Sequence, residues 1–261
     1  MEIGILFDTW RVGIIFNALV SLIVASISLV LVIFLFRRWE RSDLIIRAYS
    51  WFWLITMLLW TFLATRYAVI GFGYFSTYYY SAAYWFDVVI QIAVFLTGPP
   101  LAYYLGLRVF HRLHIAQWMA WGSFFIAILS IFFVLLPQGI SEPDFTYFSA
   151  DSRINNISFA LFSIEIAFLG GLLVYDFFLR MRTWRKDHNT LILYDAMYSA
   201  TLFIYLFFGA IDQSKIFIDW PTIVFRLLYS ISFLAIYLMI MQEDAQREEY
   251  FIEEDNSTYG K

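Results

Sequence analysis

Cysteine is absent from the 261 residues, so the chain forms no disulfide of its own and offers neither a thiolate nucleophile nor a ligand set for an iron–sulfur cluster or a covalently attached c-type haem. Histidine occurs only at His111, His114 and His188, all between apolar runs, so a buried haem held by histidines of this chain is not expected. Lysine occurs only at Lys186, Lys215 and Lys261, again outside the apolar runs, which leaves no amine for a covalent retinal. Charged residues make up 15% of the chain, where a soluble domain carries about a quarter. That scarcity excludes an ordinary water-soluble globule.

The abundant residues are apolar: 62% of the chain is in the AVILMFWYC set, 22% is aromatic, and the mean hydropathy is +0.71. A membrane-crossing helix needs roughly 20 apolar residues. Seven such runs are present, at about 12–36, 48–71, 82–107, 115–136, 157–179, 191–211 and 221–241. The expected fold is therefore an all-α, polytopic bundle of seven transmembrane helices spanning 1–241, followed by an acidic tail at 242–261. The breaks RRWERSD (37–43), HRLH (111–114), the long 137–156 segment, RMRTWRKDHN (180–189) and DQSKIFIDW (212–220) each join charge to turn-forming residues. No internal repeat is visible. Little chain is left over for an aqueous catalytic or nucleic-acid-binding domain, so neither an enzyme nor a nucleic-acid partner is expected.

Orientation follows from the cationic loops, which resist translocation. Arg37, Arg38, Arg41, Arg47, Arg108, Arg112, Arg180, Arg182, Arg185 and Lys186 lie in the first, third and fifth connections, against Arg11, Arg66, Arg153 and Lys215 at the N-terminus and in the other three. Ten against four predicts the N-terminus outside and the C-terminus inside, as in a prokaryotic plasma (inner) membrane. The 137–156 segment is then external, and a cysteine at Ser149 should report it. The start, MEIGILFDTW, has acidic rather than basic residues and is not expected to be a cleavable signal. Residues 242–261 hold seven acidic and two basic residues, so the acidity of the chain is concentrated there.

Ionisable groups inside a bilayer are costly and usually face the bundle interior or pair. Counted at about 1.5 Å per residue, Arg66, Asp87 and Arg226 sit at a common depth of roughly 8 Å from the outer ends of their spans, with Glu165 deeper and Asp176 and Asp195 near the inner ends. Tyr84, Asp87 and Gln91 share one face of the third span, as do Arg226, Tyr229 and Ser230 on the seventh. Ser158, Phe162 and Glu165 form a stripe on the fifth, above Gly170 and Gly171, where a neighbour can pack closely. These groups read either as an outward-opening polar pocket between the second, third, fifth and seventh spans, or as an ion pair of Asp87 with Arg226 or Arg66 that only fixes helix orientation. Glu165 is the group with no obvious partner at its depth.

Gly98, Pro99 and Pro100 break the third span, by a static kink or by an unwinding of the kind transporters use. His111 and His114 have a chelating spacing near Asp43 and Asp187, but helix-end histidines beside arginines are the commoner meaning and no metal is expected. Trp51, Trp53, Trp118, Trp121, Trp184 and Trp220 lie near span ends, as interface belts do. In the tail, Tyr250, Phe251 and Ile252 form a short apolar anchor between acidic residues, suited to docking on a basic partner.

SWFWLITMLLWTFLATRYA (50–68), with Trp53 and Trp60 seven residues apart, and AAYWFDVVIQIAVFLTGPPLAYYLGLRVF (82–110), a polar and aromatic helix reaching Pro99–Pro100, together resemble the second and third helices of the seven-helix sensor region that precedes many prokaryotic histidine kinases. The resemblance covers about 50 residues. It implies an N-out bundle whose seventh helix passes a signal inward; with an acidic tail in place of a phosphoacceptor domain, output would act in trans. The expectation is thus a non-enzymatic sensory or partner-binding membrane module, with the lipid bilayer and a membrane or cytoplasmic protein as partners. The alternatives are a structural accessory subunit of a larger membrane complex, or a small transporter using Glu165 and the Gly98–Pro100 break.

Overall fold

The computed structural model describes residues 2–39, 43–72, 82–216 and 219–259, with side chains described from 12 to 242 within those ranges. Among the described residues eight helices, α1 (Glu2–Arg37), α2 (Leu44–Phe72), α3 (Ala82–Leu96), α4 (Gly98–Phe110), α5 (Leu113–Leu135), α6 (Asn156–Asp187), α7 (Thr190–Ser214) and α8 (Trp220–Tyr259), follow one another, with one hairpin, β1 (Asp144–Phe145) with β2 (Ala150–Asp151), between α5 and α6. Among the described residues seven helical segments are long and apolar enough to cross a membrane, α3 and α4 together forming the third. Neighbours in sequence are neighbours in space: the ring runs α1, α2, α3–α4, α5, α6, α7, α8 and closes where α8 packs on α1, with α4 also touching α6.

Helices apolar all round turn one face to their neighbours and leave the other to lipid. On α1 the inner face is Ile14, Asn17, Ser21, Val24, Ser28 and Leu31, each fully buried. Ser21 and Ser28 return their hydroxyl protons to the carbonyls of Asn17 and Val24, 2.9 Å away, so small polar side chains sit in the interior with their donors satisfied. The core is strongly aromatic. Trp53 packs edge-on to Phe233 at 4.6 Å between centroids, Tyr205 to Phe233 at 4.9 Å, and Trp60 lies 5.1 Å from Tyr229. Trp51, Trp118, Trp121 and Trp220 are exposed, whereas Trp53 is fully buried: it belongs to this core and not to an interface belt.

Charge marks the membrane boundary but does not end a helix; a cap does. The RMRTWRKD segment is the last two turns of α6, not a loop, and the helix stops only where His188 takes a left-handed conformation and its N–H bonds to Trp184 O. His111 and Lys215 end α4 and α7 in the same way. Asn155 and Asn189 start α6 and α7, their side chains accepting from the N–H groups of Ser158 and Leu191. The 242–261 tail likewise continues α8 as far as Tyr259. The side chains of Tyr250, Phe251 and Ile252 lie outside the described residues.

At Pro99 and Pro100 the missing N–H groups leave the carbonyls of Phe95 and Leu96 without helical donors. The chain nevertheless stays right-handed helical through Thr97, whose N–H bonds to Ala93 O at 3.1 Å, so α3 and α4 meet at a break in hydrogen bonding and not at an unwound segment.

The 137–156 connection folds onto the bundle and is not a free loop. Its β1–β2 pairing sets Asp144 opposite Asp151 and Phe145 opposite Ala150, and Ile140 bridges Ile154. Phe148 is held twice, its N–H donating to Asp219 at 2.9 Å and its carbonyl accepting from Asn17. Gly13 lies directly under the Tyr147 carbonyl, where a Cβ has no room. The tip residue Ser149 is fully buried against Thr146, so it is not the accessible label position its place in a long polar segment implies; Glu142 is among the exposed positions of the segment.

Candidate functional site

Two polar centres occupy opposite ends of the bundle, separated by the aromatic core. The hairpin end is built by β2 and the residue after it, which carry Asp151 and Ser152 inward, both buried. Arg66 Nε lies 2.6 Å from Asp87 Oδ1, and Ser152 joins the pair by donating to Asp87 at 2.9 Å and accepting from Arg66 at 3.3 Å. Next to this triangle, Asp151 Oδ1 accepts from the Tyr67 hydroxyl at 3.0 Å and from Lys215 Nζ at 3.2 Å. Arg226 donates to Tyr67 and to Ser21, each at 3.0 Å, and its guanidinium stands 4.4 Å from the Tyr67 ring centre.

Electrostatics hold the Asp151–Lys215 pair ionised. Burial pushes the Asp151 carboxyl up, but Lys215, with Arg226 and Arg66 beyond it, overcomes this and keeps it well below the usual carboxylate range. Burial pushes Lys215 down, and Asp151 and Asp212 raise it above the usual lysine range.

A cavity of about 90 Å³ opens among α2, α3, α6, α7, α8 and the hairpin. Arg66, Asp87, Gln91, Arg226 and Tyr229 line it, together with Asp151, Ser152, Asp212 and Lys215; Leu206, Ile166 and the Trp60 indole, with its buried Nε1, complete the wall. Buried polar atoms of its lining that have no hydrogen-bond partner among the described residues include Gln91 Oε1, Asp151 Oδ2, Asp212 Oδ1, Arg226 Nε and the Tyr229 hydroxyl, Asp212 Oδ1 lying 3.9 Å from Lys215 Nζ. A buried polar atom left unpaired costs about 1–3 kcal/mol, so a cluster of them around one space is chemistry waiting for water or a solute.

Of the residues singled out by depth and helical face, Arg66, Asp87, Gln91, Arg226 and Tyr229 thus meet in one place. Asp87 pairs with Arg66 and not with Arg226, which reaches Tyr67 and Ser21 instead. Tyr84 is half-buried and packs beside Val88 and Ala83, outside the cavity lining. Ser230 donates back to Arg226 O. Glu165 is a correction. It does have a partner, because Ser123 on α5 donates to it, and it lies away from the cavity against Gly98, whose missing side chain leaves the space its carboxyl fills. Gly98 therefore serves Glu165, while Pro99 and Pro100 face a largely apolar hollow with Tyr103 and Phe124. Gly170 packs near the Phe203 ring; Gly171 has nothing within 4 Å.

Depth and helical face do not single out Asp151, Ser152, Asp212, Lys215 or Tyr67 as site residues. The 137–156 segment gives no local sign that two of its residues turn inward. Tyr67, by contrast, was reachable: it follows Arg66 and lies on the buried face of α2.

The other end, where α8 leaves the bundle, holds a closed quartet. Asp176 accepts from Arg108 at 2.9 Å, from Arg180 at 2.9 and 3.0 Å and from Ser199 at 2.5 Å. Asp195 takes Arg180 at 2.6 Å and Arg108 at 3.2 Å. The cavity beside it is larger, about 300 Å³, between Tyr49, Tyr104, Arg108, Arg180 and the apolar ends of α1 and α8. Arg108, Arg180, Asp176 and Asp195 already satisfy one another there and the Tyr49 hydroxyl is left over, so size and readiness to bind point to different ends, and the larger set of unpaired atoms decides for the hairpin end. His111 and His114 are exposed, and among the described residues no group of three or more His, Asp or Glu side chains gathers to hold a metal.

Comparison of the chain with protein-family models, with curated proteins and with solved structures finds no match.

Proposed function

We propose that this chain is a non-enzymatic seven-helix sensory module, lying in a plasma (inner) membrane with the hairpin end outside and the acidic tail in the cytoplasm. A small polar ligand enters the cavity at the hairpin end, and occupancy is passed to a protein partner. The observation that carries the reading is the set of unpartnered polar atoms around one cavity, two of them on α8, at Arg226 and Tyr229. That helix runs without interruption from Trp220 to Tyr259, so a shift of its cavity face moves the tail with it. The ten-to-four distribution of cationic residues supports the orientation.

One observation favours the accessory-subunit reading. Trp118, Trp121, Phe125, Ile128, Phe132 and Leu135 recur at alternating spacings of three and four along α5, and all are exposed. Such a stripe suits a neighbouring subunit as well as lipid. Extraction in mild detergent with a mass measurement separates the two. The sensory reading expects a lone monomer or homodimer; recovery in a fixed ratio with other membrane subunits would replace it.

A further inference from the structure

Resting on the sensory reading, we infer that the ligand of the hairpin-end cavity is a small zwitterion, with an ammonium and a carboxylate on one short frame, of about the size of glycine. The first ground is charge. Arg66, Lys215 and Arg226 face Asp87, Asp151 and Asp212 across the cavity lining, three cations against three carboxylates. A lone anion or a lone cation would leave the site with an uncompensated charge in a low-dielectric interior, which is expensive. A molecule carrying both signs adds none.

The second ground is which atoms are left unpaired. Gln91 Oε1, Asp151 Oδ2 and Asp212 Oδ1 are acceptors, and an ammonium offers three donors to meet them. Arg226 Nε is a donor and the Tyr229 hydroxyl can be one, which is what a carboxylate requires. Both sets lie around the same space, so one ligand can satisfy the two together. The already paired Arg66–Asp87–Ser152 triangle forms a fixed wall beside them.

The third ground is size. About 90 Å³ is smaller than an apolar cavity of about 150 Å³ that holds benzene and equals the share of about three waters, so a solute of about four or five non-hydrogen atoms fits. Larger side chains on the zwitterion meet Trp60, Leu206 and Ile166.

The test is the thermal unfolding of the purified full chain in detergent, titrated with glycine, with acetate and with methylammonium. The parent is compared with Gly209→Leu, Arg226→Gln and Asp212→Asn. Gly209 lines the cavity and has open space where a Cβ would stand, so leucine fills the cavity without a backbone clash. The expected result is a saturating rise in Tm with glycine alone. It should vanish in Gly209→Leu and need at least tenfold more glycine in Arg226→Gln and in Asp212→Asn. If acetate or methylammonium alone matches glycine and Gly209→Leu abolishes the effect, the cavity binds solutes and the sensory reading stands, but the zwitterion is overturned. A rise that does not saturate and persists in Gly209→Leu is a solvent effect of glycine and overturns binding in the cavity. No rise with any of the three overturns the zwitterion, and the sensory reading then rests on the extraction experiment.

Discussion

The hairpin end and the tail end of this bundle contain nearly the same chemistry, arginines against aspartates with a serine between them, but they use it differently. At the tail end two carboxylates and two guanidiniums are consumed in mutual contacts, Asp176 alone accepting from Arg108, Arg180 and Ser199. At the hairpin end the charges are equally balanced in number but unequally satisfied: Asp87 is fully engaged, whereas among the described residues Asp212 has only Lys215 at 3.9 Å. Composition does not distinguish a structural ion network from a binding site. What distinguishes them is whether polar atoms are left over and whether there is space in front of them.

The largest effect is expected from opening the closed network. Asp176→Asn leaves Arg108 and Arg180 with Asp195 as their one shared carboxylate and should destabilise the protein by about 3–5 kcal/mol, the usual cost of breaking a buried pair. Asp212→Asn should cost clearly less, because Lys215, 3.9 Å away, keeps Asp151 as its closer carboxylate. Thermal melts of both variants in detergent check the contrast, and similar losses would erase it.

Next comes the Arg66–Asp87 pair. Asp87→Asn alone should cost about 3 kcal/mol, and Asp87→Asn combined with Arg66→Gln much less, because the second change removes the stranded charge. Chemical denaturation of the single and double variants reads this directly. An unchanged Asp87→Asn would mean that the carboxylate is solvated.

The loop carboxylate gives a smaller, pH-dependent effect. Asp151 is held below its unfolded value, so its stabilisation is fully present above the unfolded pKa of about 4 and is lost as pH falls through the lower folded value. Lys215 is shifted upward, so its share is present below about pH 10 and lost only above that. The stability gap between parent and Asp151→Asn, about 2 kcal/mol for a charged hydrogen-bonded group, should be flat from about pH 5 to 9 and close in acid. A gap that closes near neutrality would assign the effect to another group.

The smallest effect on stability belongs to Gly209→Leu, within about 1 kcal/mol of the parent and in its favour by helix propensity. Circular dichroism melts without ligand check this, and a large loss would mean that the space at Gly209 is needed by the fold.

Span number and the shared depth of Arg66, Asp87 and Arg226 were legible in the sequence because a bilayer imposes length and depth on apolar runs. Helix ends were not: Arg180 to Asp187 carry the charge of a loop but continue α6, since soluble helical turns beyond the membrane cost nothing that charge would forbid. The tail-end quartet gave half a signal, Asp176 and Arg180 at i, i+4, while Arg108 and Asp195 come from other helices. Ser123, the partner of Glu165, was silent because serine in a membrane helix usually bonds its own backbone. Asp151 and Ser152 were hidden for a different reason. Their inward placement depends on the anchoring of Phe148 by Asn17 and Asp219, more than 70 residues away in either direction.

The difference between the two ends is tested most directly by water-borne access to single cysteines, for which the cysteine-free chain is a clean background. Gly209→Cys, on the cavity wall, and Ser199→Cys, sealed in the Asp176 network, are each treated with a small hydrophilic thiol reagent in folded protein. Modification of Gly209→Cys, with Ser199→Cys reacting only after unfolding, is the expected result. An unreactive Gly209→Cys, or a Ser199→Cys that reacts as fast, would contradict the division into an open site and a closed network.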